Sequence, residues 1–233
     1  YVLEALNQSI TTNVTIDDVT AVWSGLRPLV RNEDGTTAKG KTADLSRKHK
    51  VKVSDSGVIS IMGGKLTTYR KMSEHTVDEV VKHTGKAKKC KTKNLQFIGA
   101  KGFKPSMKNG ADAHLADRFG SELNRVKELI AQDSTLGEPL INGLPYLRAE
   151  AIFACRNEMA QTLDDVLSRR TRARIINRRA TLASARKVAE LMATELHWDA
   201  AEIDRQVAFF VDSCSREEAA GLVSEAEFLA SVQ

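Results

Sequence analysis

The chain has 233 residues, 42% of them hydrophobic and 28% charged, with a net charge of +5. That length holds one or two domains with a real core, and that balance excludes a disordered or fibrous chain. No apolar run is long enough to span a bilayer, and the modest positive charge favours anionic partners (phosphorylated substrates, nucleotides, acidic lipid) without by itself arguing for nucleic acid.

The first residue is Tyr1 rather than Met, read here as the boundary of a longer chain. Val2, Leu3, Leu6 and Ile10 recur at helical spacing, so the segment reads as the end of a helix. Thr11 to Asp18 reads as a loop or short capped turn, and Val22 and Trp23 give Val19 to Leu29 strand character. Arg27 precedes Pro28, which biases it toward extended geometry. Residues 31–42 are polar and glycine-containing, a surface loop. Leu45 to Val53 then alternates: Leu45, Arg47, His49, Val51 and Val53 share one face, and Ser46, Lys48, Lys50 and Lys52 the other. An arginine in line with apolar residues needs a counter-charge, either an internal carboxylate or a ligand phosphate. His49 reads as structural or supporting.

Ser54-Asp55-Ser56-Gly57 is a turn cluster, which predicts a hairpin. Its second strand, Val58 to Met62, is apolar and β-branched, a run expected to be buried inside a sheet. Gly63 and Gly64 permit a sharp turn, Lys65 adds a cation, and Thr67 or Thr68 is placed to cap a helix from about Thr68 to His83 that stops at Gly85. The unpaired N–H groups at such a helix start, with the lysine, suit an anion or an electron-rich carbonyl. Lys86 to Lys93 is a basic linker, read as solvated and as the domain boundary, although clustered lysines also suit an anionic lipid surface.

Beyond it the pattern is helical. Ser121–Gln132, Leu147–Met159 and Thr181–Leu196 each carry an apolar stripe, and Thr162 with Asp165, Asp199 with Glu202, and Ser224 with Glu227 resemble capping boxes. The loops are short, as in a small bundle. The three cysteines, Cys90, Cys155 and Cys214, are too scattered for a disulfide framework or a zinc site, so no metal is expected, and they fit a reducing cytosol. Arg169, Arg170, Arg172, Arg174, Arg178 and Arg179 form a dense cluster. No aromatic residues are interleaved with them, and Glu150, Glu158, Asp164 and Asp165 are nearby, so interhelical ion pairs are favoured over nucleic-acid binding.

Three stretches carry a resemblance. Gly63-Gly64-Lys65-Leu66-Thr67-Thr68-Tyr69-Arg70 is similar to the C-terminal flavin motif of FAD-dependent glycerol-3-phosphate dehydrogenases of the aerobic type. Trp23-Ser24-Gly25-Leu26-Arg27-Pro28-Leu29 resembles that family's second signature, and Asp164-Asp165-Val166-Leu167-Ser168-Arg169-Arg170-Thr171-Arg172-Ala173 resembles the signature of its C-terminal helical domain. The three occur in the family's order and span most of the chain.

The resemblance implies an α+β chain: residues 1–92 as the C-terminal part of a flavin-oxidoreductase substrate/FAD domain, a β-hairpin plus helix, and residues 93–233 as an all-α helical bundle. It implies FAD as cofactor and oxidation of sn-glycerol 3-phosphate to dihydroxyacetone phosphate, with electrons passed to quinone or, in the oxidase variant, to oxygen. Arg27, Arg47 and Lys65 would bind substrate; Gly63, Gly64, Lys65, Leu66 and Thr67 would contact the flavin. It further implies a homodimer of the complete protein, in the cytoplasm or peripheral on the inner face of the membrane. The family's N-terminal Gly-x-Gly-x-x-Gly fingerprint is absent from these residues. The chain alone is therefore expected to bind flavin weakly and to lack turnover, with the general base in the missing half. A non-catalytic interaction module is the reading from another class.

Overall fold

The computed structural model describes residues 2–22, 25, 48–85, 89–108 and 112–222. It separates into two compact units, Tyr1–Trp23 with Ile98–Gln233, and Ser24–Phe97.

The described residues of the smaller unit form a hairpin and a helix. β1 (Lys50–Val53) pairs antiparallel with β2 (Ile59–Met62), with Val51 opposite Ile61 and Val53 opposite Ile59. Ser54 closes the turn: its carbonyl accepts from Gly57 N–H at 2.9 Å, and its hydroxyl accepts from Val58 N–H at 3.1 Å. After β2 the chain makes one 3-10 turn (Leu66–Thr68) and enters α2 (Tyr69–Thr84), which ends where Gly85 takes a left-handed conformation and donates to the Val81 carbonyl. The expectation of a buried strand fails. Val58, Ile61 and Met62 are exposed, and α2 has no buried residue. Two strands and one helix have too few layers to bury an apolar face from both sides. The apolar character of β2 is real, but α2, which packs against it, leaves Ile61 and Met62 exposed.

The larger unit begins with a short helix, α1 (Val2–Asn7), and a 3-10 turn at Ile16–Asp18 held by Thr15, whose N–H and hydroxyl both donate to Asp18. Residues 19–22 have no regular structure where strand character was expected; 23, 24 and 26–29 lie outside the described residues. This N-terminal run belongs with the helices: the Thr20 hydroxyl donates to the Ile175 carbonyl, and Val22 N–H donates to Glu217.

The helical core is organised around α5 (Arg148–Asn157), in which every residue from Ala149 to Ala154 is buried. Ile152 and Phe153 pack with α3 (Ala113–Phe119) and α4 (Leu123–Gln132), through Phe119, Leu123 and Val126. Ala151 and Ala154 join the second cluster, filled by Val188 and Met192 of α7 (Arg178–Leu196) and Phe210 and Cys214 of α8 (Ala200–Leu222). α5 therefore belongs to both cores, which its alanines allow by bringing neighbouring backbones close. The Asp199–Glu202 pattern behaves as expected: Asp199 accepts from Glu202 N–H at 2.8 Å. Ser224 and Glu227 lie outside the described residues.

Between α5 and the four-residue α6 (Ala173–Ile176) runs a π-helical segment, Asp165–Arg170. Thr162 and Asp165 start it reciprocally: Asp165 accepts from Thr162 N–H at 2.9 Å, and its own N–H donates to the Thr162 hydroxyl. The wider turn ends at the buried Thr171, whose N–H and hydroxyl both donate to the Val166 carbonyl, five residues back.

Candidate functional site

The candidate site lies in the smaller unit, at the step from β2 into α2. Gly63 and Gly64 both have positive φ, 72° and 83°, a conformation open to glycine and unfavourable for other residues. Gly64 is glycine for a second reason. A Cβ there would sit 2.4 Å from the Met72 sulfur and 3.3 Å from the His49 Cβ. Its bare backbone thus lets the turn pack closely on its own helix.

Lys65 follows in extended geometry, and its side chain is exposed. Among the described residues, no carboxylate pairs with its ammonium. Thr68 caps the turn rather than the helix: its hydroxyl accepts from Lys65 N–H at 3.1 Å and donates to the Lys65 carbonyl at 2.9 Å. That leaves the N–H groups of Leu66 and Thr67 without an acceptor among the described residues, on a turn where the Leu66 side chain is 89% exposed. Two open donors, a free ammonium and an apolar side chain stand together on one exposed corner. This donor set fits the carbonyl-rich edge and apolar face of a flavin ring, or another planar, electron-rich group.

Of the residues expected at the site, Gly63, Gly64, Lys65, Leu66 and Thr67 are consecutive on this corner. Arg27 and Arg47 lie outside the described residues. On another side of α2 a groove of about 510 Å³ runs between the helix and residues 90–97, lined by Tyr69, Arg70, Val77, Leu95 and Phe97 among others. None of the five site residues lines it.

In the helical unit, the arginine cluster is largely consumed by ion pairs. Arg169 meets Asp164 at 2.7 Å and Asp165 at 3.0 Å. Arg174 reaches Glu217 at 2.6 Å and Asp164 at 3.3 Å, and Arg178 reaches Glu218 at 3.0 Å. Arg170 donates to the Glu158 carbonyl. Arg174 and Arg178 make the interhelical pairs the sequence favoured by reaching α8, Arg169 pairs within its own segment, and Glu150 serves a different group. It is fully buried, 2.8 Å from the Arg118 guanidinium and 2.9 Å from His114, and accepts from Leu147 N–H at the start of α5. The three-residue step from Leu147 to Glu150 was the available signal, but nothing local points to Arg118 and His114, one helix away.

Burial pushes the Cys155 thiol up to about 11 and raises that of Cys214, so both are protonated core residues. No group of His, Cys, Asp and Glu among the described residues has the arrangement to hold a metal ion. No helix among them is long and apolar enough to cross a membrane.

Comparison with known proteins gives a consistent set of likenesses. A family model for the C-terminal domain of alpha-glycerophosphate oxidase matches residues 90–203. The chain is 35% identical to glycerol-3-phosphate dehydrogenase 2 of Mycobacterium tuberculosis over 225 residues, covering 91% of this chain and 37% of that protein. It is 33% identical to a mitochondrial glycerol-3-phosphate dehydrogenase of Arabidopsis thaliana, covering 85% of this chain and 35% of that one. Among solved structures, the glycerol-3-phosphate dehydrogenase of Bacillus halodurans, complexed with FAD, superposes with a TM-score of 0.70 at 31% identity, covering 92% of this chain and 43% of that chain. The chain thus spans little more than a third of the length of these curated relatives.

Proposed function

We propose, for a chain that belongs to the glycerol-3-phosphate dehydrogenase family and corresponds to its C-terminal portion, that it supplies one wall of an FAD-dependent site oxidising sn-glycerol 3-phosphate to dihydroxyacetone phosphate. The observation that carries this reading is the corner at Lys65, whose ammonium, with the N–H groups of Leu66 and Thr67, has no partner among the described residues.

FAD, when bound, accepts the hydride that leaves C2 of the substrate. The residues of this chain hold and polarise. The Leu66 and Thr67 N–H groups would hold the ring through its carbonyl edge, and Lys65 would supply positive charge to favour its reduced form. Lys65 also reaches the substrate, whose phosphate is held by Arg27 and Arg47. Guanidinium groups grip phosphate oxygens in pairs, and binding at that remote end fixes the position of the reacting carbon. The adenine and pyrophosphate end of FAD, and the base that takes the C2 hydroxyl proton, belong to a part of the protein that these 233 residues do not include. The domain division at 92–93 belongs to the same reading, with residues 2–22 bonded to the helical unit rather than to the flavin-contacting part, as do quinone as acceptor and attachment to the inner membrane face. The oxidase alternative differs in its acceptor and is separated by peroxide yield under air.

The test is reconstitution. The chain mixed with FAD and the N-terminal portion of the protein should give a yellow complex that glycerol 3-phosphate bleaches. Lys65→Ala should lower turnover by about 100-fold or more, the loss typical of one preorganised electrostatic contact. Full activity of the Lys65→Ala and Arg47→Ala proteins would remove the assignment.

A further inference from the structure

Beneath the glycine turn two imidazoles meet. Nε2 of His49 and Nδ1 of His75 are 2.7 Å apart, with ring centroids separated by 4.9 Å and planes tilted by 43°. His49 stands just before β1, and His75 lies in α2. His49 also borders Gly64, and Met72, one turn before His75, fills the space where a Gly64 side chain would be. An unbroken line of contact therefore runs from the start of β1, past the turn, into the helix.

We propose that the His49–His75 hydrogen bond is a positioning element for the reaction assigned above. It sets the height of the Gly63–Gly64 turn over α2, and with it the direction of the Leu66 and Thr67 N–H groups and of Lys65. A nitrogen pair at this separation holds one proton, so one ring donates and the other accepts. That constraint fixes the orientation of both rings. Neither histidine is a catalytic residue; both act through the turn. Among the described residues the hairpin has no buried core to hold it against the helix, so this polar contact carries a share of the alignment that packing supplies elsewhere.

The inference rests on reading the turn as a flavin wall, and the experiment separates the two. In the reconstituted holoenzyme with glycerol 3-phosphate, His75→Phe keeps a ring and removes the hydrogen bond, whereas His75→Gln retains a side-chain donor and acceptor. His75→Phe is expected to lower kcat about tenfold with KM nearly unchanged, and to shift the visible flavin band, because a small misplacement of reacting groups is costly. His75→Gln should recover to within about threefold of the parent. Parental kcat and spectrum in His75→Phe, or equal loss in both variants, would overturn the proposal. If the parent complex itself neither binds FAD nor turns over, the flavin reading fails, and the strut is judged on the chain alone. Hydrogen exchange at the Lys65 and Thr68 amides, both bonded within the turn, should then be faster by about tenfold in His75→Phe than in His75→Gln. Unchanged exchange overturns the proposal.

Discussion

Gly64 shows how one residue serves two constraints. Its φ of 83° is unfavourable for any side chain, and the Met72 sulfur occupies the place a Cβ would take. Gly57 has the same φ of 83° but open space around it. Gly64→Ala should therefore destabilise the smaller unit by about 1–3 kcal/mol, and Gly57→Ala by less, in denaturant titrations that follow hairpin signals. Cys155 allows a chemical check on the larger unit. With its thiol pushed up to about 11 by burial, it is protonated at neutral pH. Native chain treated with iodoacetamide at pH 7.5 should leave Cys155 unmodified, and denaturant should expose it.

α5 and the segment after it show what local pattern does and does not encode. Phe153 is buried with its ring edge-on to Phe119 at 5.1 Å, so Phe153→Ala should cost about 3–5 kcal/mol in a denaturant titration that follows helical signals. Phe97, 73% exposed, should cost far less. Asp165 gives a pH dependence. Burial pushes its carboxyl up, but the Gln161 N–H, the Thr162 hydroxyl and N–H, and the Arg169 guanidinium together pull it below the ordinary aspartate value. A carboxyl lowered on folding contributes stability above its unfolded pKa, about 4 for aspartate, and that contribution is lost as pH falls through the folded value. Asp165→Asn should flatten the acid limb of the stability–pH profile below about pH 4 and leave its neutral region shallow. The capping spacing made the start of this segment legible, because Thr162 and Asp165 act through bonds three residues apart. Its π-helical winding was not legible, because it depends on Thr171 bonding five residues back against a packed core. The same division holds at the site. The Gly63–Thr67 turn is spelled out by consecutive residues, whereas His75 looks like any polar helix position and gains a role only from His49, 26 residues away. Helix periodicity likewise located α4, α5 and α7 to within a few residues but could not tell that β2 would lie uncovered, since burial depends on what packs above a strand.

The two units differ in what holds them. The larger has continuous buried clusters along α5, α7 and α8. Among its described residues the smaller has none: Leu66, Leu95 and Phe97 are among its exposed apolar side chains. Native-state hydrogen exchange should accordingly show slow amides in α5 and α7 and far faster ones in β1 and β2. Addition of the N-terminal portion with FAD should slow the strand amides selectively, because ligation stabilises whatever it contacts. An unmet β-hairpin also has a cellular meaning. Its exposed apolar side chains are the kind of surface that chaperones hold and proteases clip, so a chain left uncovered there would be cleared faster.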